Sequence, residues 1–251
     1  MNGCAGWKIL KQTIQKVSMF YFPTHLALHI PDGYLSFPVS AVTWVIAIAL
    51  VIISAIKLRQ DNPDRVIALM GVMSALIFAC QMVNFPIPNG TSGHLLGGTL
   101  AGIILGPWGA TLVMSLVLAV QALVFQDGGI GVLGANICNM GLIGTLGGYW
   151  LYRQIRFAIG RNGWTGMLTG TVIASWFSVV LGAIATALQL SWSGTVPLDL
   201  ALPAMLGWHI QIGVGEALLT VLAVRVLWVW RPELFCDPPA HLVREENNSY
   251  E

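Results

Sequence analysis

From Phe37 onward the chain alternates long apolar runs with short polar joints. A helix needs roughly 20 apolar residues to cross the hydrocarbon core of a bilayer. On that scale the pattern predicts spans near residues 37–56, 66–83, 94–105, 107–125, 132–152, 164–190 and 206–230. The third is short, and Gly106-Pro107 separates it from the fourth. Those two are expected to form a tight helical hairpin or one broken element, because non-helical backbone at membrane depth survives only where protein or a cavity covers it. Gly98, Gly102 and Gly106 recur at a spacing that lets helices approach closely. That stripe suits either a docking surface for a partner or packing inside the bundle. The predicted fold class is therefore all-α, a polytopic membrane helix bundle of about seven spans.

Charge sets the expected orientation. Lys57, Arg59 and Arg65 lie between the first two spans, and Arg153, Arg156 and Arg161 between the fifth and sixth. Arg225 lies near the end of the last span, with Arg231 and Arg244 beyond it. The alternate joints, 85–93, 126–131 and 191–202, carry no Lys or Arg, and their acids are Asp127 and Asp199. By the positive-inside rule the N-terminus is expected outside and the C-terminus in the cytoplasm. Residues 28–231 are then the membrane domain, and 232–251, with Pro238-Pro239, a disordered cytoplasmic tail.

Residues 1–27 do not fit. Lys8, Lys11 and Lys16 would sit outside, and the apolar stretch 17–28 is interrupted by Pro23 and His25. Three readings stand open: a signal-like segment cleaved after Ala27, a misannotated extension with the true start at Leu28, or an uncleaved extra helix.

Composition sharpens the class. The chain is 56% hydrophobic and 9% charged with a mean hydropathy of +0.74. Soluble domains carry about a quarter charged residues, so lipid must be the solvent here. A net charge of +1 gives nothing to attract nucleic acid. Cys4, Cys80, Cys138 and Cys236 form no CxxC pair, which argues against a structural zinc site or a disulfide framework. No GxxxxGK[ST] motif occurs, so the chain is not expected to hydrolyse ATP.

The candidate chemistry gathers in two polar segments. His29-Ile30-Pro31-Asp32-Gly33-Tyr34-Leu35-Ser36 precedes the first span, and Asn89-Gly90-Thr91-Ser92-Gly93-His94 opens the third. On the expected topology both histidines reach the outer face. Pro31 restricts the backbone around it and Asp32-Gly33 permits a turn, so the first segment should fold back as a stiff loop. His209 and Glu216 lie two helical turns apart on one face of the last span. Intramembrane ionisable groups are functional candidates; their plainer role is a buried hydrogen-bonded pair. Gln121, Asn136 and Asn139 are candidates for cross-linking helices or for orienting His94. Asp127 can attract cations at the mouth or simply sit in solvent.

The octapeptide resembles the N-terminal signature of the CbiM/NikM family, the substrate-capture membrane subunits of cobalt and nickel energy-coupling-factor transporters. Gly90-Thr91-Ser92-Gly93-His94-Leu95-Leu96-Gly97-Gly98 and Leu105-Gly106-Pro107-Trp108 look like the same family, as does Gln121 through Gly129. So do Gly134-Ala135-Asn136-Ile137-Cys138-Asn139-Met140-Gly141 and His209 through Ala217. The family normally begins Met-His, whereas here Leu28 precedes His29 and a further 27 residues precede Leu28.

The resemblance implies a metal, Co2+ or Ni2+, held as transported substrate by the N-terminal amine, the backbone nitrogen and ring of the second residue, and one more histidine. In this sequence those are the α-amine of Leu28, if it is the mature terminus, then His29, then His94. The amine and the His29 amide nitrogen would close a five-membered chelate ring, and the same amide nitrogen with His29 Nδ1 a six-membered one. Four nitrogens in a plane suit Ni(II) and Cu(II), and also fit low-spin Co(II). The amine and amide must lose protons, so capture should weaken in acid. An uncleaved extension would convert the amine into a peptide bond, so a functional chain is expected to begin at residue 28.

The resemblance further implies a transmembrane coupling subunit (CbiQ/NikQ-like), cytoplasmic ATPases (CbiO/NikO-like) that alone use ATP, and an accessory membrane subunit (CbiN-like). It also implies residence in the inner (plasma) membrane. Two other classes stand beside this reading. One is an intramembrane metalloenzyme using His94, His209 and Glu216, although no HExxH motif is present. The other is a passive metal channel, although no repeated filter or ring of charge is visible.

Overall fold

The computed structural model describes residues 29–60, 63–82, 85–87 and 91–238. Within them the regular structure is helical apart from one small hairpin. The elements are α1 (Phe37–Gln60), α2 (Pro63–Met82), β1 (Phe85–Ile87), β2 (Thr91–Gly93), α3 (Gly98–Val120), α4 (Leu133–Asn136), α5 (Gly148–Ile159), α6 (Trp164–Trp192) and α7 (Leu198–Trp230). A π-helical turn, Gln121–Phe125, extends α3, and a π-helical stretch, Ile137–Gly147, joins α4 to α5 in one continuous path. The strands pair antiparallel with Phe85 opposite Gly93. Residues 1–28, which include His25 and Leu28, and residues 239–251, which include His241, lie outside the described residues.

Four helical segments, Phe37–Arg59, Gly98–Phe125, Trp164–Trp192 and Leu198–Trp230, have the length and apolar composition to cross a membrane, the second of them counted across its break at Gly106. Val66–Met82 is apolar but shorter. α1 exposes Val45, Ile48, Ile52 and Ile56, and α7 exposes Val214, Leu218, Leu222 and Val229. Side chains of that kind turned outward along a whole helix need hydrocarbon around them. The interior is seamed with hydroxyls and amides: Thr99 Oγ1 lies 3.2 Å from Ser178 Oγ, and Asn139 and Gln189 exchange hydrogen bonds at 2.9 and 2.7 Å.

α3 contains a reversal. Gly106 has φ 74° and ψ 170°, a region essentially closed to side-chain-bearing residues. Pro107 follows, with φ already suited to a new helix start. On the N-terminal arm Gly98 packs on the Gly144 carbonyl and Gly102 on Tyr149. On the C-terminal arm Thr111 Oγ1 meets Thr145 Oγ1 at 3.0 Å, and Ser115 lies beside Gly141. Residue numbers along the partner rise on one arm and fall on the other, so the arms are antiparallel and the element is a hairpin. All three glycines of the stripe face the protein's own bundle. The alternative expectation of a partner-docking surface does not hold for them.

The expectation of a disordered tail from residue 232 does not hold for 232–238. Pro232–Leu234 form a 3-10 turn. Phe235 is buried against Trp228, with ring centroids 5.6 Å apart. The Cys236 N–H donates to the Ile103 carbonyl at 3.1 Å. In an unbroken helix that carbonyl would accept from residue 107, but Pro107 has no N–H, so the returning chain fills the place. Arg156, 1% exposed, donates to the Asp237 carbonyl at 3.0 Å, and Arg161 reaches the Asp237 carboxylate at 2.9 Å.

Candidate functional site

At the end of the bundle opposite this strap, the 29–36 loop folds onto the segment 127–136. Asn136 clamps it from both sides. Its Oδ1 accepts from the Ile30 N–H at 2.9 Å, and its Nδ2 donates to the Ile30 carbonyl at 3.1 Å. The Gly129 N–H adds a bond to the same carbonyl at 2.9 Å. Asp32 accepts from the N–H groups of Ile130 and Gly131 at 3.1 and 2.8 Å. Gly33 takes φ 86°, the turn its Asp-Gly dipeptide predicts. These contacts pin the residue that follows His29, and so fix where its ring goes.

The ring goes to His94. The two imidazole centroids lie 4.5 Å apart at a tilt of 51°, and the residues are 5% and 6% exposed. His29 Nδ1 lies 3.1 Å from Asp127 Oδ1, and among the described residues neither ring nitrogen of His29 makes a hydrogen bond of regular geometry. Asp127 is brought there by Gln126, which closes the π turn in a left-handed conformation, and by the Asp127 N–H bonding the Gln121 carbonyl at 3.0 Å. The contact with His29 is the main influence holding the Asp127 carboxyl below its ordinary range.

His94 sits in the turn before α3, with Nδ1 3.0 Å from the Leu95 carbonyl. Burial, and then the nearby His29, push its pKa down to about 3. The ring is therefore neutral, and because a carbonyl only accepts, Nδ1 carries the proton and Nε2 keeps its lone pair. A buried nitrogen with a free lone pair beside a second imidazole is a ready donor for a borderline transition metal and a poor one for magnesium or calcium. Among the described residues, no three or more His, Cys, Asp or Glu side chains gather as a metal-ligand group. Any further donors must come from elsewhere.

The remaining candidates divide. Glu216 does not pair with His209. Its two oxygens accept from the N–H groups of Leu96 and Gly97 at 2.8 and 2.7 Å. His209 Nδ1 is taken by the Met205 carbonyl of its own helix at 2.7 Å. Asn139 bonds Thr186 and Gln189 and serves as a helix cross-link. Gln121 donates to Gln81 at 3.0 Å, while its buried Oε1 has no hydrogen-bond partner among the described residues. Gln81 itself escaped the sequence reading, yet its Nε2 donates to the Leu96 carbonyl at 2.8 Å and so supports the His94 turn. Its signal was an amide buried mid-run in an apolar helix, where polar side chains seldom lack a purpose.

A lipid-facing bundle with two imidazoles buried together at one end defines a polytopic membrane protein with a nitrogen-donor pocket. Residues 29–234 match the family model described as the cobalt uptake substrate-specific transmembrane region, CbiM. The chain belongs to the CbiM family. It is 39% identical over 209 residues to the putative fused nickel transport protein NikMN of Archaeoglobus fulgidus, covering 82% of this chain and 68% of that protein. It is 30% identical over 213 residues to the cobalt transport protein CbiM of Sorangium cellulosum, covering 82% and 94%. Among solved structures it is similar to a truncated transition metal transporter at a TM-score of 0.72 and 34% identity, covering 80% of this chain and 98% of the other.

Proposed function

We propose that this chain is the substrate-capture subunit of an energy-coupling-factor importer for cobalt or nickel, working in the inner (plasma) membrane. Family membership carries the transport of cobalt or nickel. The observation that carries the capture site is the meeting of His29 and His94, remote in sequence, at 4.5 Å in a buried position. His94 Nε2 supplies one donor. His29 supplies its ring and amide nitrogen, and the α-amine of Leu28 completes the set in a chain that begins there. His29 Nδ1 now faces Asp127. Closing the six-membered chelate turns that nitrogen to the ion, and Asp127 then remains as a carboxylate beside a cationic centre. The amine and amide protons leave on binding, so uptake falls as the outside becomes acidic.

The topology has the N-terminus outside, and the site opens there. ATP is used by partner ATPases, and a membrane coupling subunit transmits their cycle, reorienting this subunit so that the site opens inward. Two curated relatives carry names of fused nickel transport proteins, NikMN and LarMN, and each is longer than its match to this chain. Those names support a CbiN-like accessory part in the same transport system. Against the metalloenzyme alternative, Glu216 accepts from the Leu96 and Gly97 N–H groups instead of joining His209, and His94, His209 and Glu216 do not gather as a ligand group among the described residues.

The test is uptake of labelled cobalt and nickel by cells producing the chain with its partner subunits. His29→Ala and His94→Ala should each remove most uptake of the preferred metal, and depletion of ATP should stop it in the wild type. Unchanged uptake in both variants would refute the ligand assignment. Uptake without ATP would mark a passive channel. Sequencing the mature N-terminus should return residue 28.

A further inference from the structure

The His94 ring is set by its own turn, and that turn is held by groups that are not metal ligands in the capture reading. His94 Nδ1 bonds the Leu95 carbonyl at 3.0 Å. The other end of the same peptide group, the Leu96 N–H, donates to Glu216 Oε2 at 2.8 Å. Glu216 Oε1 takes the next N–H, that of Gly97, at 2.7 Å. The Leu96 carbonyl in turn accepts from Gln81 Nε2, and Gln81 Oε1 accepts from Gln121. Glu216, Gln81 and Gln121 are all buried.

We propose that Glu216 is a positioning residue for His94, acting through the Leu95–Leu96 peptide, with Gln81 as the second support. The proposal rests on the reading of His94 as a metal ligand. A carboxylate bonded to the N–H end of a peptide polarises it and strengthens its carbonyl as an acceptor. That carbonyl holds the proton on Nδ1, which fixes the tautomer and points the Nε2 lone pair at the ion. Metal-bound histidines are commonly oriented by a carboxylate on the far nitrogen; here one peptide group stands between the two. Two features separate this from a simple tie between α7 and a loop. Both carboxyl oxygens are used by consecutive N–H groups of the His94 turn, and the peptide they hold is the one His94 bonds.

The test uses the full chain purified from its native membrane in detergent, with 15N-labelled histidine and Ni2+ alone as the probe. Long-range 1H–15N spectra, assigned with His94→Gln, report the His94 tautomer without metal. The wild type should show the Nδ1–H form. Glu216→Gln, which can accept through only one oxygen, should shift His94 toward a mixture and weaken Ni2+ binding about 10–100-fold. Gln81→Met should move both readouts in the same direction by less.

A wild-type Nε2–H tautomer overturns the proposal on its own, whether or not any variant folds. An unchanged tautomer and affinity in a folded Glu216→Gln protein overturns it as well. If the wild type shows the Nδ1–H form, Glu216→Gln disturbs it, and Ni2+ binds neither protein, the relay stands and the capture reading falls.

Discussion

Asn136 shows how much one side chain can decide at the residue scale. Its amide satisfies both the N–H and the carbonyl of Ile30, but only the carbonyl has a second partner, in Gly129. Asn136→Ala therefore leaves one buried N–H unpaired, at a cost of about 1–3 kcal/mol, and frees the backbone next to His29. We expect a lower thermal midpoint together with weaker metal binding. Asn139→Ala breaks the bonds to Thr186 and Gln189 and should lower the midpoint while leaving metal affinity near wild type. Calorimetry of metal binding on the two purified variants separates these outcomes. His29 and His94 were legible in sequence as candidates because the segments that carry them resemble family motifs; a histidine at a helix start alone is more often a solvated or capping residue. Gln81 was not, because nothing in a linear pattern says which carbonyl an amide inside an apolar helix will meet.

Among the elements, the hairpin of α3 positions the site. It sends one arm down from the His94 turn and brings the other back to Gln121 and Asp127, so both reach the same end of the bundle. The reversal depends on Gly106. Gly106→Ala places a side chain where φ is 74° and a Cβ 2.8 Å from Cys236 Sγ. The backbone strain alone is worth about 1–3 kcal/mol. The single variant should lower the thermal midpoint in detergent. Gly106→Ala combined with Cys236→Ala should recover only part of that loss, since the clash is relieved and the strain is not. Full recovery would mean that the Gly106 conformation carries no constraint. The Gly106-Pro107 punctuation was visible in sequence. The π-helical stretch Ile137–Gly147 was not, because its apolar run scans like any other helix and its widened turns answer to neighbours packed against it.

For the whole molecule, the distribution of Lys and Arg predicts an orientation that reagents can read. In a background without native cysteines, Trp192→Cys should react with a membrane-impermeant maleimide in intact cells, and Asn162→Cys only after permeabilisation. Both positions are exposed, and they lie at opposite ends of the helix path through α6. The reverse pattern would invert the topology and place the histidine pair on the cytoplasmic side.

What the sequence determined by itself was the solvent and the helices. Apolar runs of membrane length admit little but helix, since a backbone in hydrocarbon must satisfy its own hydrogen bonds. The metal-ligand reading of His29 and His94 came from their resemblance to family motifs, carried by short local segments that a linear sequence displays. What only the tertiary structure decided was pairing. It brought His29 to His94, turned Glu216 away from His209 and onto the Leu96 and Gly97 amides, and closed the strap over Ile103. Such contacts join residues far apart in the chain. They are chosen by which buried polar group is left without a partner once the helices have packed, a quantity that exists only in the folded molecule.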